Sequence, residues 1–248
     1  KFNIAGLKKH IPNSEYSYIS DLLNKKDSKK KIITFDISSK KKIILVSVKK
    51  DLTDSGAENL GAKCYVILNE LKETQYNVNS DTIPNGLKNI LGYFLHGIKL
   101  KSYKFEKYKT KKNKGEIIIN VIGKNIPNNN DQLKFNSIEE GTFYTRDLVS
   151  EPGNVLHPDE YAKRIKSLSK FGLKIKIYND KELKKLGMNT LLSVGQGSIR
   201  GSYLVTMEWN GSKDKSKPLA FVGKGVCFDT GGISLKPAKF MEDMTYDM

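Results

Sequence analysis

Four charged residues near the C-terminal end of the sequence have types and spacing that could support hydrolysis assisted by a metal ion. Lys224, Asp229 and Lys236 lie in a glycine-rich segment that follows an apolar run at 219–222, and Asp247 ends a second, acidic segment. Carboxylate oxygens are hard metal ligands. Lys224 could bind a metal only as a neutral amine, whereas Lys236 could stay charged and face a developing oxyanion. Surface charges around a glycine turn explain these residues equally well.

Other patterns in the sequence give weaker indications of chemistry. Residues 195–200 begin like a dinucleotide-binding fingerprint, but Arg200 stands where the third glycine belongs. Residues 223–225 lack the spacer and the Lys-Ser/Thr pair of a phosphate-binding loop. We interpret His157 as an exposed turn residue at the start of a helix, and Cys227 as a small buried apolar residue rather than a catalytic thiol.

The composition bounds the class of protein. The chain has 248 residues and a formal net charge of +16, which suggests an anionic partner such as DNA. Only Arg146, Arg164 and Arg200 are arginines, however, and nucleic-acid interfaces favour arginine. We therefore favour solvated lysine-rich faces and leave an anionic partner open. No apolar run of about 18 residues occurs, so we expect no membrane span and no secretory signal. The two cysteines fit a reduced cytoplasm.

Apolar periodicity predicts an α/β protein of two domains. We place an N-terminal α/β domain at 1–136, a linker helix and turn at 137–152, and a second domain at 153–248. The helix opens at Ser137, with Glu140 completing a capping box, and an Asn-rich break precedes it. The predicted strands are 31–37, 42–48, 116–122 (buried), 173–178, 202–209 and 219–222. The predicted helices elsewhere are 56–73, 86–98, 158–171 and 180–186.

The glycine-rich and acidic segments resemble the leucyl aminopeptidase (cytosol aminopeptidase) family. The resemblance rests on Val-Gly-Lys-Gly at 222–225, Phe-Asp-Thr-Gly-Gly-Ile-Ser-Leu-Lys-Pro at 228–237 and Met-Glu-Asp-Met-x-Tyr-Asp-Met at 241–248. Residues 145–154, 186–188 and 194–198 also fit the family. The resemblance is strong over 142–248. Over 1–136 it is weak and depends mainly on the arrangement of predicted elements along the chain.

The resemblance implies a two-metal exopeptidase that releases N-terminal residues from peptides, with a leucine-type preference. It makes Lys224, Asp229 and Asp247 metal ligands, with Asp229 bridging two divalent ions (Zn²⁺ or Mn²⁺, with Mg²⁺ possible). It makes Lys236 the catalytic lysine, and Met244 part of the pocket for the first side chain. It also implies a small N-terminal α/β domain, a zinc-peptidase-like α/β/α catalytic domain joined to it by a helix, and a homo-hexamer in the cytoplasm.

One departure from the family concerns the ligand set. The family has a further Asn-Thr-Asp-Ala-Glu-Gly-Arg-like motif that supplies two more carboxylates and an arginine, and no segment here matches it. We therefore expect a truncated catalytic domain, with weak metal binding and negligible turnover as an isolated 248-residue chain. The alternatives are a DNA-binding or regulatory relative without turnover, and a fragment that serves assembly only.

Overall fold

The computed structural model describes residues 2–25, 30–71, 73–84, 86–87, 89–111, 115–212, 214 and 216–247, with only the backbone of Asp247. The chain divides into two compact units, Lys1–Phe143 and Tyr144–Met248. Each unit combines helices with paired strands, as an α/β protein does. The boundaries that we place at residues 136 and 152 stay a prediction.

The strands in the described part of the first unit form two separate pairs. β1 and β2 are antiparallel, with Ile33 opposite Leu45. β3 and β4 are parallel, with Tyr76 opposite Ile119. The elements are α1 (Asn13–Lys25), β1 (Ile32–Ser38), β2 (Lys41–Val46), α2 (Asp54–Leu71), β3 (Gln75–Asn79), α3 (Ile90–Ser102), β4 (Ile118–Ile122) and α4 (Asn129–Ser150), and the division between the units falls within α4.

Two glycines allow α2 and α3 to pack with their backbones close together. A Cβ added at Gly61 would lie 2.0 Å from the carbonyl oxygen of Phe94, and one at Gly97 would lie 2.0 Å from that of Glu58. Leu60 and Leu68 of α2 are buried beside this contact, in a core shared with β1. The core of this unit therefore depends on small residues at the helix crossing as well as on apolar side chains.

Two predictions for the first unit are wrong in detail. α4 begins at Asn129 rather than at Ser137, because Asn128 Oδ1 accepts a hydrogen bond from the backbone N–H of Asp131 at 2.9 Å and caps the helix. The Asn-rich segment is thus a helix start. β4 is not a buried strand, since Ile118 and Ile122 are 51% and 49% exposed. Its apolar residues, which only Asn120 interrupts, alternate between a partly covered face and an exposed face.

Where the structure describes it, the second unit has one antiparallel strand pair and short helices. Pro158 begins the first of them, and the helix ends through a 3₁₀ turn (Ser167–Phe171) at Gly172, whose φ is 90°. Ile175 of β5 lies opposite Met207 of β6. The elements are α5 (Pro158–Lys166), β5 (Lys174–Tyr178), α6 (Asp180–Lys185), α7 (Asn189–Gly195), β6 (Leu204–Glu208) and a 3₁₀ helix (Met241–Asp247).

The apolar run at 219–222 is not a strand, contrary to our prediction. Leu219 and Val222 are 80% and 100% exposed, and no described residue pairs with the run in a ladder. β-branched and aromatic residues favour a strand only where a neighbouring strand and a covering layer are present, and among the described residues neither lies beside this run. The run therefore extends without regular structure into the glycine-rich segment that follows it.

Both cysteines should react slowly with thiol reagents. Burial raises the pKa of Cys64 to about 11. Burial, together with the negative charge of Asp159, raises the pKa of Cys227 to about 11. The thiolate is the reactive form, so a rise of about two pKa units should slow labelling at pH 7 about 100-fold relative to the unfolded chain. Labelling by a thiol reagent, with and without guanidinium, measures this ratio. Equal rates in both conditions would contradict the burial of the thiols.

Candidate active site

A tight glycine turn forms the candidate active site. Gly231 and Gly232 have φ values of 91° and 64°, and the backbone N–H of Lys236 donates to the carbonyl oxygen of Thr230 at 2.9 Å. Positive φ is a conformation that glycine adopts at little cost. A Cβ at Gly231 would also lie 2.4 Å from the carbonyl oxygen of Ser234. The two glycines therefore bring Lys236 back toward the residues that precede the turn.

The turn places Lys236 in contact with Asp229 and Met244. Lys236 Nζ lies 2.9 Å from Asp229 Oδ2 and donates to Met244 Sδ at 2.9 Å. Asp229 Oδ1 accepts the backbone N–H of Gly231 at 2.9 Å. The structure thus brings together three residues that the sequence marked as site residues. The Asp229 side chain is 41% exposed, which leaves its carboxylate accessible to a ligand.

The charges around Asp229 favour its ionised form. The hydrogen bond from Lys236 lowers the pKa of the Asp229 carboxyl, and the Gly231 N–H and the positive charge of Lys224 act in the same direction. A depressed pKa in the folded chain means that this ion pair contributes stability above the unfolded pKa of aspartate. That contribution is lost as the pH falls through the lower, folded value. At neutral pH the site therefore presents an ionised Asp229 carboxylate.

The structure gives fewer contacts for the other two predicted ligands, Lys224 and Asp247. Lys224 is close enough to Asp229 to influence its charge. Asp247 lies in the 3₁₀ helix Met241–Asp247, which also carries Met244, but its side chain is outside the described residues. Among the described residues, no three His, Cys, Asp or Glu side chains cluster closely enough to hold a metal. The donor chemistry that is present, an ionised carboxylate that already binds a cationic amine, fits a divalent cation.

The segment 224–229, which leads into the turn, packs against two other parts of the second unit, and the sequence analysis did not predict these contacts. A Cβ at Gly225 would lie 2.9 Å from Tyr161 Cε1, and one at Gly153 would lie 2.9 Å from Phe228 Cβ. Cys227, between these contacts, is buried as predicted. His157 directly precedes α5, as predicted, but it is partly buried and its Nδ1 accepts the Glu160 N–H as the helix cap, so it is not an exposed turn residue.

Gly231→Ala should dismantle the turn. Alanine at a φ of 91° is strained, and its Cβ would meet backbone at 2.4 Å, so the backbone must move. We expect Lys236 to lose its contact with Asp229 and the unfolding free energy to fall by about 1–3 kcal/mol. Chemical denaturation measures the change, and Gly223→Ala is the control because nothing lies within 4 Å of its added Cβ. Equal stability of the two variants would contradict this description of the turn.

Comparison with known proteins shows what the second unit is similar to. The family described as cytosol aminopeptidase, catalytic domain, matches residues 143–248. A probable cytosol aminopeptidase of Brucella anthropi is 49% identical over 161 residues, covering 61% of this chain and 32% of that protein. One from Caulobacter vibrioides is 47% identical over 158 residues, with the same coverage. These alignments thus span about a third of the relatives' length.

Solved structures confirm the fold class. The bottromycin maturation enzyme BotP in complex with Mn has a TM-score of 0.70 and 20% identity, covering 96% of this chain and 50% of that one. Another structure of BotP has a TM-score of 0.65 and 21% identity, covering 92% and 49%. At this identity the likeness shows the fold alone, and it supports the predicted α/β class.

No described helix is both long and apolar enough to cross a membrane. Residues 143–248 of this chain match the catalytic domain of the cytosol aminopeptidase family.

Proposed function

We propose that the protein removes N-terminal residues from peptides by metal-activated water, at a site that includes Lys224, Asp229, Lys236 and Asp247. The observation that carries this proposal is the contact between Lys236 and Asp229, held by a turn that requires Gly231. It joins an ionised carboxylate to a positively charged group, the two functions that hydrolysis of an amide bond needs at one place. The names of the curated relatives support the same activity.

Two divalent ions, Zn²⁺ or Mn²⁺, belong to this proposal. Asp229 would hold both, and Lys224 and Asp247 would complete the part of the ligand set that this chain supplies. When bound, the ions lower the pKa of a water molecule and polarise the peptide carbonyl. The bottromycin maturation enzyme BotP, which has the same fold, has been solved in complex with Mn. Asp229 needs no deprotonation before it binds a cation at neutral pH, and its lowered pKa extends this ionised form to more acidic solutions.

Lys236 would provide positive charge for the reacting carbonyl. In this structure its ammonium group contacts Asp229 Oδ2 and Met244 Sδ. An ammonium has three donors, and its contacts with the described residues use two of them, so the third could bind a substrate oxygen. Met244 would then lie beside the first side chain of the peptide, since its sulfur contacts the same amine.

Peptide digestion tests the proposed function. A leucine-initiated peptide incubated with the protein at its full natural length should lose residues one at a time from its N-terminus, as followed by mass spectrometry. The same peptide with an acetylated N-terminus should stay intact, because the free amine is part of what an aminopeptidase binds. Cleavage inside both peptides would contradict the proposal and indicate an endopeptidase.

A second candidate function is binding of duplex DNA, which the net charge of +16 favours. The affinity should then fall steeply with salt, with a linear dependence of log K on log salt concentration. Absence of binding at low salt would exclude it.

Homo-hexamer assembly and a cytoplasmic location remain part of the main proposal, supported by the family resemblance and by the name of the relatives.

A further inference from the structure

A buried ion pair lies at the start of the second unit, outside the candidate active site. The Glu151 side chain is 1% exposed, and its Oε2 accepts a hydrogen bond from Arg164 Nη2 at 2.7 Å. Arg164 Nε also donates to Glu160 Oε1 at 3.0 Å. A buried carboxylate is unfavourable unless it is paired and hydrogen-bonded. The pair therefore fixes the turn that follows Ser150 against α5.

That turn contacts the residue next to Asp229. The carbonyl oxygen of Pro152 accepts the backbone N–H groups of Val155 and Leu156, both at 2.9 Å, which makes the turn compact. A Cβ on Gly153 would lie 2.9 Å from Phe228 Cβ and 3.3 Å from its Cγ. The backbone at Gly153 thus packs directly on the Phe228 side chain, and Asp229 follows Phe228 in the chain.

The helix that holds Arg164 makes a second contact with the same segment. Tyr161 lies one turn before Arg164 on α5, and its Cε1 would be 2.9 Å from a Cβ added at Gly225. Gly225 follows Lys224. Each of the two proposed ligands is therefore adjacent in sequence to a residue that packs on a surface joined to the Glu151–Arg164 pair.

We propose that Glu151, Arg164 and Gly153 are positioning residues for Lys224 and Asp229. The ion pair holds the turn and α5 together, and these two surfaces set the path of the segment from Lys224 to Asp229. The inference rests on the proposed function, because it concerns the affinity of that site for a divalent ion. Loss of an outer contact that orients a metal ligand lowers affinity by about 10–100-fold. A purely structural pair would change stability and leave the metal affinity of the folded protein unaltered.

Mn²⁺ titration of the protein at its full natural length, followed by the electron paramagnetic resonance signal of free Mn²⁺, tests the inference. Gly153→Ala keeps the ion pair and adds one methyl group against Phe228. We expect its Mn²⁺ dissociation constant to rise about tenfold or more. Gly197→Ala is the matched control, because nothing lies within 4 Å of its added Cβ and neither glycine has a positive φ. Glu151→Gln adds no heavy atom and should also weaken binding, so the test does not depend on one variant folding.

The outcomes separate the two proposals. If folded Gly153→Ala and Glu151→Gln bind Mn²⁺ as tightly as Gly197→Ala, while Asp229→Asn loses binding, the positioning role is wrong and the proposed site stands. If Asp229→Asn binds Mn²⁺ like the unaltered protein, the proposed site is wrong, and the positioning role falls with it.

Discussion

Asp229→Asn should reduce peptide hydrolysis by at least about 10³-fold, equivalent to about 4 kcal/mol of transition-state stabilisation. The amide has the shape of the carboxylate and can still accept the Gly231 N–H that Asp229 Oδ1 accepts at 2.9 Å. It lacks the negative charge that a divalent cation and Lys236 both require. We therefore expect a folded protein that has lost Mn²⁺ binding and turnover together.

Asp214→Asn is a close control for that variant. Asp214 is also an aspartate in a short turn, and its Oδ1 accepts the backbone N–H of Ser216, two residues further on, at 3.1 Å. The same chemical change is thus made in a similar local structure, at a residue that the proposed site does not include. Turnover should stay at the unaltered level in this control. Retained turnover in Asp229→Asn would show that Asp229 is not part of the reactive centre.

Lys236→Ala should lower kcat by about 10²–10³-fold and change KM little, because the ammonium group acts on charge that develops in the transition state. It should also shift the loss of activity in acid to higher pH. Lys236 is the main cause of the depressed pKa of Asp229, so without it the carboxylate gains a proton at a higher pH and loses its cation sooner. Steady-state kinetics over a pH series measure both effects.

Lys174→Ala is the matched control for the lysine variant. Lys174 also pairs with a carboxylate, Glu208, at 3.6 Å across β5 and β6, and both side chains are exposed. Exposed pairs of this kind contribute about 0–1 kcal/mol, so kinetics should be unaltered. If Lys236→Ala instead raises KM and leaves kcat unchanged, Lys236 binds substrate and does not stabilise the transition state.

Local sequence patterns were sufficient to predict much of the fold. The helix α2 and the strands β1 and β2 follow from apolar periodicity, and the end of α6 follows from Gly187, whose φ is 73°. The strand at 219–222 could not be judged this way, because a strand depends on partners elsewhere in the chain. The exposure of Ile118 was hidden for a similar reason, since a run of isoleucines looks alike whether one face is covered or both.

The residues of the candidate site could be predicted from the sequence, but the contacts that hold them in place could not. Glycines and charges at 223–236 indicated the turn, and family motifs assigned the roles. The pairing of Glu151 with Arg164 spans 13 positions across a turn and a helix start, so no helical or strand period marks it. The packing of Gly153 on Phe228 joins residues 75 positions apart. Such contacts arise only when the second unit is folded.

The most direct test of the proposed function is the hydrolysis of leucine p-nitroanilide by the protein at its full natural length, with Mn²⁺ and with a chelator. We expect release of p-nitroaniline that the chelator abolishes and that added Mn²⁺ or Zn²⁺ restores. Release that continues unchanged in the chelator, or no release with either metal, would contradict a metal-dependent aminopeptidase site at Lys224, Asp229 and Lys236.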